Sequence, residues 1–136
     1  MRLIKIFMAG ITFPSILLPC FIILFFENSQ ILTIPFIHFI PVIWGIWNIL
    51  YVKFFVEFFP GNSNLKLLIS GAVLGLLIAS YAVYVLNIPS LLEWPTSFTY
   101  IPLFIGPILY VIFWLFIVHP LNQLVGVYDH KKRKQK

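Results

Sequence analysis

Acidic residues are scarce in this chain. Its 136 positions hold four Asp and Glu residues: Glu27, Glu57, Glu93 and Asp129. None lies within the four long apolar runs, 6–26, 31–52, 67–86 and 98–118, and no Lys or Arg does either. Proton relays and cation sites inside a membrane are built around intramembrane Asp or Glu. Their absence removes the usual means of ion coupling. Intramembrane hydrolysis needs paired aspartates or a Ser/His set at matching depth, and the sequence offers neither. No catalytic residue is assigned, and the protein is expected not to be an enzyme. Cysteine is also nearly missing. Cys20 alone excludes an intrachain disulfide, a CxxC redox pair and a four-thiolate metal site. No two metal ligands share a helical face, so neither a metal nor a cofactor is expected.

What is present is hydrocarbon. Hydrophobic residues make up 61% of the chain and charged residues 10%, far from the balance of a soluble domain. A water-soluble protein of this size cannot hide so much apolar surface, so the lipid bilayer must serve as its solvent. Each apolar run holds 20 to 22 residues. At about 1.5 Å per residue that spans roughly 30 Å, the hydrocarbon thickness of a bilayer. Backbone polar groups must pair internally there, which makes the runs helices. The ten-residue alternation of a membrane barrel is not seen. The fold class expected is an all-α membrane protein: a four-helix transmembrane bundle with short loops and a C-terminal amphipathic interfacial helix. One transmembrane domain covers residues 1–128, and a basic tail covers 129–136.

The nine Lys and Arg residues fall at Arg2 and Lys5, at Lys53 and Lys66, and at Lys131, Lys132, Arg133, Lys134 and Lys136. Four spans place all three groups on one side. The opposite side receives only Glu27 and Glu93. Cytoplasmic segments carry the excess of Lys and Arg, so both termini are expected in the cytoplasm of a multi-pass protein, in the inner membrane if the cell is bacterial. So strong a bias argues against dual topology. Basic residues spaced by membrane spans do not form a nucleic-acid patch, and no nucleic-acid partner is expected. The cluster Lys131–Lys136 is read as a topology signal and a contact for anionic lipid headgroups, at about 1 kcal/mol per charge near the surface. Leu17-Leu18-Pro19-Cys20 has the outline of a cleavage box, but Pro19 replaces the small residue and the apolar run continues through Phe26. Retention of the first span is therefore expected.

Span 2 has the richest polar content. Trp44, Trp47, Asn48 and Tyr51 share one helical face, and His38 lies nearer the opposite membrane surface from Lys53. Together they are a possible polar groove for a headgroup or substrate; the plainer reading is a set of contacts that hold helices together. His38 can be wetted by headgroups, can bond another helix, or can bind substrate or a proton. In span 3, Gly71, Gly75 and Ala79 form a small-residue stripe for close helix packing, against a span of the same chain or another protomer. Pro14 and Pro19 in span 1 and Gly106-Pro107 in span 4 predict bends. Asn62 or Ser63 can cap span 3. Residues 87–97 read as a surface-lying turn with Trp94 as an interface anchor. After His119-Pro120, the spacing of Leu121, Leu124, Val125 and Tyr128, with Asn122 and Gln123 opposite, predicts a short amphipathic helix on the membrane surface.

These features lead to a small polytopic membrane protein. It is expected to be a non-catalytic subunit or scaffold binding other membrane helices, other membrane subunits, a second copy of itself, or lipids. The alternative is an oligomeric carrier or channel component for a lipid or apolar substrate. The charge pattern predicts that a reporter fused after Lys136 is active only in the cytoplasm; activity outside would overturn the topology.

Overall fold

A computed structural model describes residues 2–27, 29–56 and 62–127. Four helices are long and apolar enough to cross a membrane, the arrangement of a multi-pass membrane protein. Span 1 is Arg2–Leu24, span 2 Pro35–Phe55, span 3 Ser63–Val85 and span 4 Thr96–Leu124. No strand occurs among the described residues. The all-α bundle expected from the apolar runs is thus present.

Span 2 begins later than residue 31. A short helical piece, Ser29–Leu32, ends before Thr33, and the long helix restarts at Pro35. Proline cannot donate and pushes its predecessor out of helical backbone. Ile34 accordingly takes φ −74° and ψ 111°. At the other end of the hairpin the side chain of Asn62 accepts a bond from the Asn64 amide, 3.2 Å away. It caps span 3 as expected. Span 1 runs unbroken through Pro14 and Pro19. Thr12 bonds back to the Met8 carbonyl at 2.6 Å, not to a carbonyl freed by either proline.

Three spans contain a π-helical turn: Tyr51–Phe55, Tyr81–Val85 and Trp114–Val118. Such a turn adds about one residue, and so about 100° of rotation, to everything after it. The segment after His119-Pro120 is helical over His119–Leu124, but it prolongs span 4 instead of starting a separate surface helix. Its faces match the expectation only in part. Gln123 is exposed and Val125 packs on the core, as expected, but Asn122 is fully buried and Leu124 is 81% exposed. The packing of span 4 on the bundle, which this segment continues, turns the Asn122 amide inward. Tyr128, the last residue of the expected apolar stripe, lies outside the described residues, as do Glu57 and the basic cluster Lys131, Lys132, Arg133, Lys134 and Lys136.

The spans pair as two hairpins. Span 1 lies along span 2, and span 3 along span 4. Both pairs use small residues to bring backbones together. A Cβ built on Gly75 would stand 2.7 Å from the Gly106 carbonyl oxygen, and one on Gly71 2.9 Å from that of Tyr110. One built on Gly106 would meet Ala79 at 3.0 Å. The Gly71/Gly75/Ala79 stripe therefore packs on span 4 of its own chain, with the Gly106-Pro107 pair as its counterpart. Spans 1 and 2 use Gly10 and Gly45. A Cβ on Gly10 would meet the Gly45 Cα and the Asn48 Cβ, each at 2.9 Å. Lipid gives helices no hydrophobic drive to associate, so close backbone packing supplies the attraction.

The hydrophobic core is not spread evenly along the bundle. Ile6, Trp44, Tyr51, Val52, Leu67, Leu74, Trp114, Val118 and Val127 form one buried cluster. These positions lie from mid-span to the end that holds the start of span 1 and the close of spans 2 and 4, here the terminal end. The other end carries Glu27 and Glu93 and is the acidic end. Gly75→Val is expected to lose about 1–3 kcal/mol of stability by forcing spans 3 and 4 apart. Leu76→Ile on the lipid-facing side should stay within about 0.5 kcal/mol. Thermal unfolding in mild detergent compares the two, and equal losses would refute the close-packing role of Gly75.

Candidate functional site

The polar residues of span 2 do not line an open groove. Asn48 is fully buried. Its Nδ2 donates to the Ile6 carbonyl at 2.7 Å and to Asn122 Oδ1 at 2.9 Å. Asn122 Nδ2 donates back to Asn48 Oδ1 at 2.8 Å. The two amides thus form a reciprocal pair that joins span 2 to span 4 and, through Ile6, to span 1. Trp47 makes a second tie. Its Nε1 donates to the Ser70 carbonyl and hydroxyl oxygens, 3.1 and 3.0 Å away. Ser70 is fully buried and lies on span 3. The two ties together connect all four spans at the terminal end.

Trp44 and Tyr51 fill space between these bonds. The Trp44 ring lies 5.1 Å from Tyr110, 5.5 Å from Trp114 and 5.9 Å from Phe13, measured between centroids. Tyr51 meets Trp114 edge-on at 6.3 Å and 86°, a favourable aromatic arrangement. The indole N–H groups of Trp44 and Trp114 are buried without a well-formed hydrogen bond, although the Tyr110 phenol interacts with Trp44. His38 lies apart from this set, exposed at the acidic end. Its Nε2 donates to the Leu32 carbonyl at 2.8 Å. That carbonyl would bond the residue 36 amide in a continuous helix, so His38 mends the break before Pro35. His119 is bonded by the Gln123 amide one turn on, at 2.8 Å. Among the described residues no cluster of three metal-ligating side chains occurs.

The structure leaves space elsewhere. Among the described residues, three cavities lie in the acidic half of the bundle. One, of about 180 Å³, is walled by Pro14, Leu17 and Phe21 of span 1, Ile37 and Trp44 of span 2, and Phe113 of span 4. A second of about 180 Å³ lies between Phe25, Ile31 and Ile40 on one hairpin and Ile78, Ala82 and Leu92 on the other side. These two share Phe21, Ile37 and Ile40 and so adjoin one another between the hairpins; together they are called the trough. The third, of about 290 Å³, lies between spans 3 and 4 beneath Trp94. Trp94 therefore covers space between helices in addition to sitting at the expected surface position.

The trough walls offer almost only carbon. Apolar cavities of about 150 Å³ stay dry and admit small hydrocarbons. Carbon walls that face an unfilled gap forfeit their dispersion contacts on that side, which is a cost. A hydrocarbon guest removes that cost, and a bilayer supplies it at this depth. The site can hold an apolar chain. Among the described wall residues Tyr110 alone carries an ionisable side chain.

Sequence reasoning placed Asn48 and Trp47 on the right face but missed Asn122 and Ser70 as their partners. Ser70 was visible only as one small residue beside the glycine stripe. Asn122 was assigned to a separate surface helix. One signal was available: Asn48 and Asn122 both lie toward the same end of two parallel spans. The chain matches no known family model, no curated protein and no solved structure at a significant level.

Replacing Asn48 with Ala leaves the Asn122 amide buried and unpaired, at a cost of about 1–3 kcal/mol. Asn122→Ala should cost a similar amount. The double variant should lose less than the sum, with a coupling of about 0.6–1.7 kcal/mol for a bond between membrane helices. Unfolding of the four proteins in one detergent measures the coupling, and strict additivity would refute the reciprocal pair.

Proposed function

We propose that the protein is a non-catalytic integral membrane subunit or scaffold that binds lipids or other membrane helices, and that lipid is its principal ligand. The observation that carries this reading is the apolar trough between two hairpins whose polar groups are already spent on each other. The walls described for the trough are carbon apart from the Trp44 indole and the Tyr110 phenol, which suits a polar substrate poorly. A hydrocarbon chain would find matched walls.

The orientation follows from charge. Both termini lie in the cytoplasm, because the Lys and Arg residues group at that end. The acidic end and the trough then face the exterior, periplasm or lumen. Lys131, Lys132, Arg133, Lys134 and Lys136 meet anionic headgroups on the cytoplasmic side. No catalytic residue, metal or cofactor enters this proposal.

A second reading has its own observation. The trough reaches from the acidic end to Trp44, near mid-span, and the two cavities that form it share walls. A carrier for a lipid or apolar substrate could use that half-path if copies of the chain joined to complete it. Native mass spectrometry of the full chain from mild detergent separates the readings. A monomer or a complex retaining lipid supports the lipid-binding scaffold. Stoichiometric foreign membrane chains without lipid favour helix binding alone. A homo-oligomer retaining lipid favours the carrier. A monomer that never retains lipid, even at the lowest activation energy, overturns lipid binding.

A further inference from the structure

The trough has a polar entrance, and the entrance has one sign of charge. Its wall residue Leu92 is followed directly by Glu93, and its wall residue Phe25 precedes Glu27 by two positions. Both carboxylates are exposed. The segments next to them, Ser29–Leu32 and Ile88–Leu91, touch one another, so the two acids lie at the same end of the bundle, near the wall residues that close the trough there. Glu93 is held in left-handed backbone, φ 54°, an uncommon conformation for a residue other than Gly, Asn or Asp. The chain has no Lys or Arg between residues 6 and 52 or between 67 and 130. No Lys or Arg therefore stands at this end to balance Glu27 and Glu93; the one histidine described there is His38, whose imidazole is bonded to the Leu32 carbonyl.

We infer that the trough holds one acyl chain of a phospholipid whose headgroup carries an ammonium group, such as phosphatidylethanolamine, with the ammonium at Glu27 and Glu93. This rests on the lipid-binding reading above and adds the class of lipid. Three features point to the same occupant. The walls from Phe25 and Leu92 down to Trp44 are apolar, which suits a hydrocarbon chain and excludes water. Pro14 and Phe25, both wall residues, are 11 residues apart along the unbroken helix of span 1, and about 1.5 Å per residue makes the trough roughly 16 Å long, the reach of much of an acyl chain. The mouth is negative and lacks Lys and Arg, which repels an anionic headgroup and attracts an ammonium. A soluble apolar ligand would leave both carboxylates without a role. A lipid with an anionic headgroup belongs at the opposite, basic end.

The full-length protein is reconstituted with an equal mixture of phosphatidylethanolamine and phosphatidylglycerol of matched chains, and bound lipid is read by native mass spectrometry. Phosphatidylethanolamine should be retained over phosphatidylglycerol by about fivefold, the factor given by two exposed charge contacts together worth about 1 kcal/mol. The double variant Glu27→Gln/Glu93→Gln alters exposed side chains only and should bring the ratio near one without lowering total lipid retention. Ala82→Phe fills the trough and should abolish retention of both lipids. Ile78→Phe repeats this test at a second wall position, and circular dichroism checks that each variant keeps its helices. Equal retention of the two lipids by the unaltered protein overturns the headgroup assignment while leaving lipid binding intact. An unchanged ratio in the double Gln variant does the same. Undiminished retention in both filled, folded variants shows that the trough is not the site. Failure of the unaltered protein to retain either lipid overturns the lipid-binding reading itself.

Discussion

The reciprocal amide pair between Asn48 and Asn122 is the interaction on which the arrangement of the hairpins depends. Each hairpin can form without it, because glycine contacts bring span 1 to span 2 and span 3 to span 4. Nothing in those contacts says how one hairpin should meet the other. The amide pair does, since its two bonds require Asn48 and Asn122 at one depth and facing each other. The bond from Asn48 to the Ile6 carbonyl adds span 1 to the same point. The bond from Trp47 to Ser70 adds span 3 about one helical position away. Such bonds are worth little individually in a membrane, about 0.6 kcal/mol on average. Their effect here is directional: they choose one rotation of each helix among many that carbon contacts alone would allow.

Much of the fold could be read in the sequence because hydrocarbon thickness imposes a length. Uncharged runs near 20 residues between basic clusters leave little freedom in span number. The glycine stripe of span 3 was legible for a similar reason, since small residues at every fourth position have few uses other than close approach. The start of span 2 was misread by four residues because apolar content continues across Thr33-Ile34-Pro35. There the backbone preference of the residue before proline overrides hydropathy. The last helical segment was misread in part because His119-Pro120 reads as a break, whereas the helix of span 4 continues through it to Leu124. Packing between spans 2 and 4 then places Asn122 inside. That partner of Asn48, and with it the reason the Trp44/Trp47/Asn48/Tyr51 face is closed, depends on contacts between helices that a local apolar pattern does not record.

The candidate site was less legible than the fold. A groove made of carbon has no signature in a sequence where nearly every residue is apolar. It arises from what lies between elements: Phe21, Ile37 and Ile40 on one hairpin stand opposite Ile78 and Ala82 on the other. Only the relative placement of the hairpins creates the gap. Polar residues attract notice first in such a chain, and in this one their hydrogen-bonding capacity is used inside the bundle. His38 shows the same point on a small scale. An ionisable residue in a span invites a functional reading, and its imidazole bonds a carbonyl of its own broken helix.

The bundle is therefore asymmetric along the membrane normal, and the asymmetry follows from how membrane helices associate. Water would press both ends of a hydrophobic bundle together equally. Lipid does not, because the surrounding chains solvate an exposed Leu as well as another helix would. Hairpins then meet closely only where a polar bond or a ring cluster rewards contact. Every such feature that crosses between the hairpins — the amide pair, the Trp47–Ser70 bond and the Trp44/Tyr110/Trp114 cluster — lies at mid-span or toward the terminal end. Toward the acidic end, packing within the span 3–4 hairpin continues through Gly75, Ala79 and Gly106, while across the gap Phe36 meets Tyr81 at 4.4 Å. The space around that contact is open to the hydrocarbon. A trough at this end is thus the expected consequence of placing the cohesive residues at the other, and the same placement determines which leaflet can enter it.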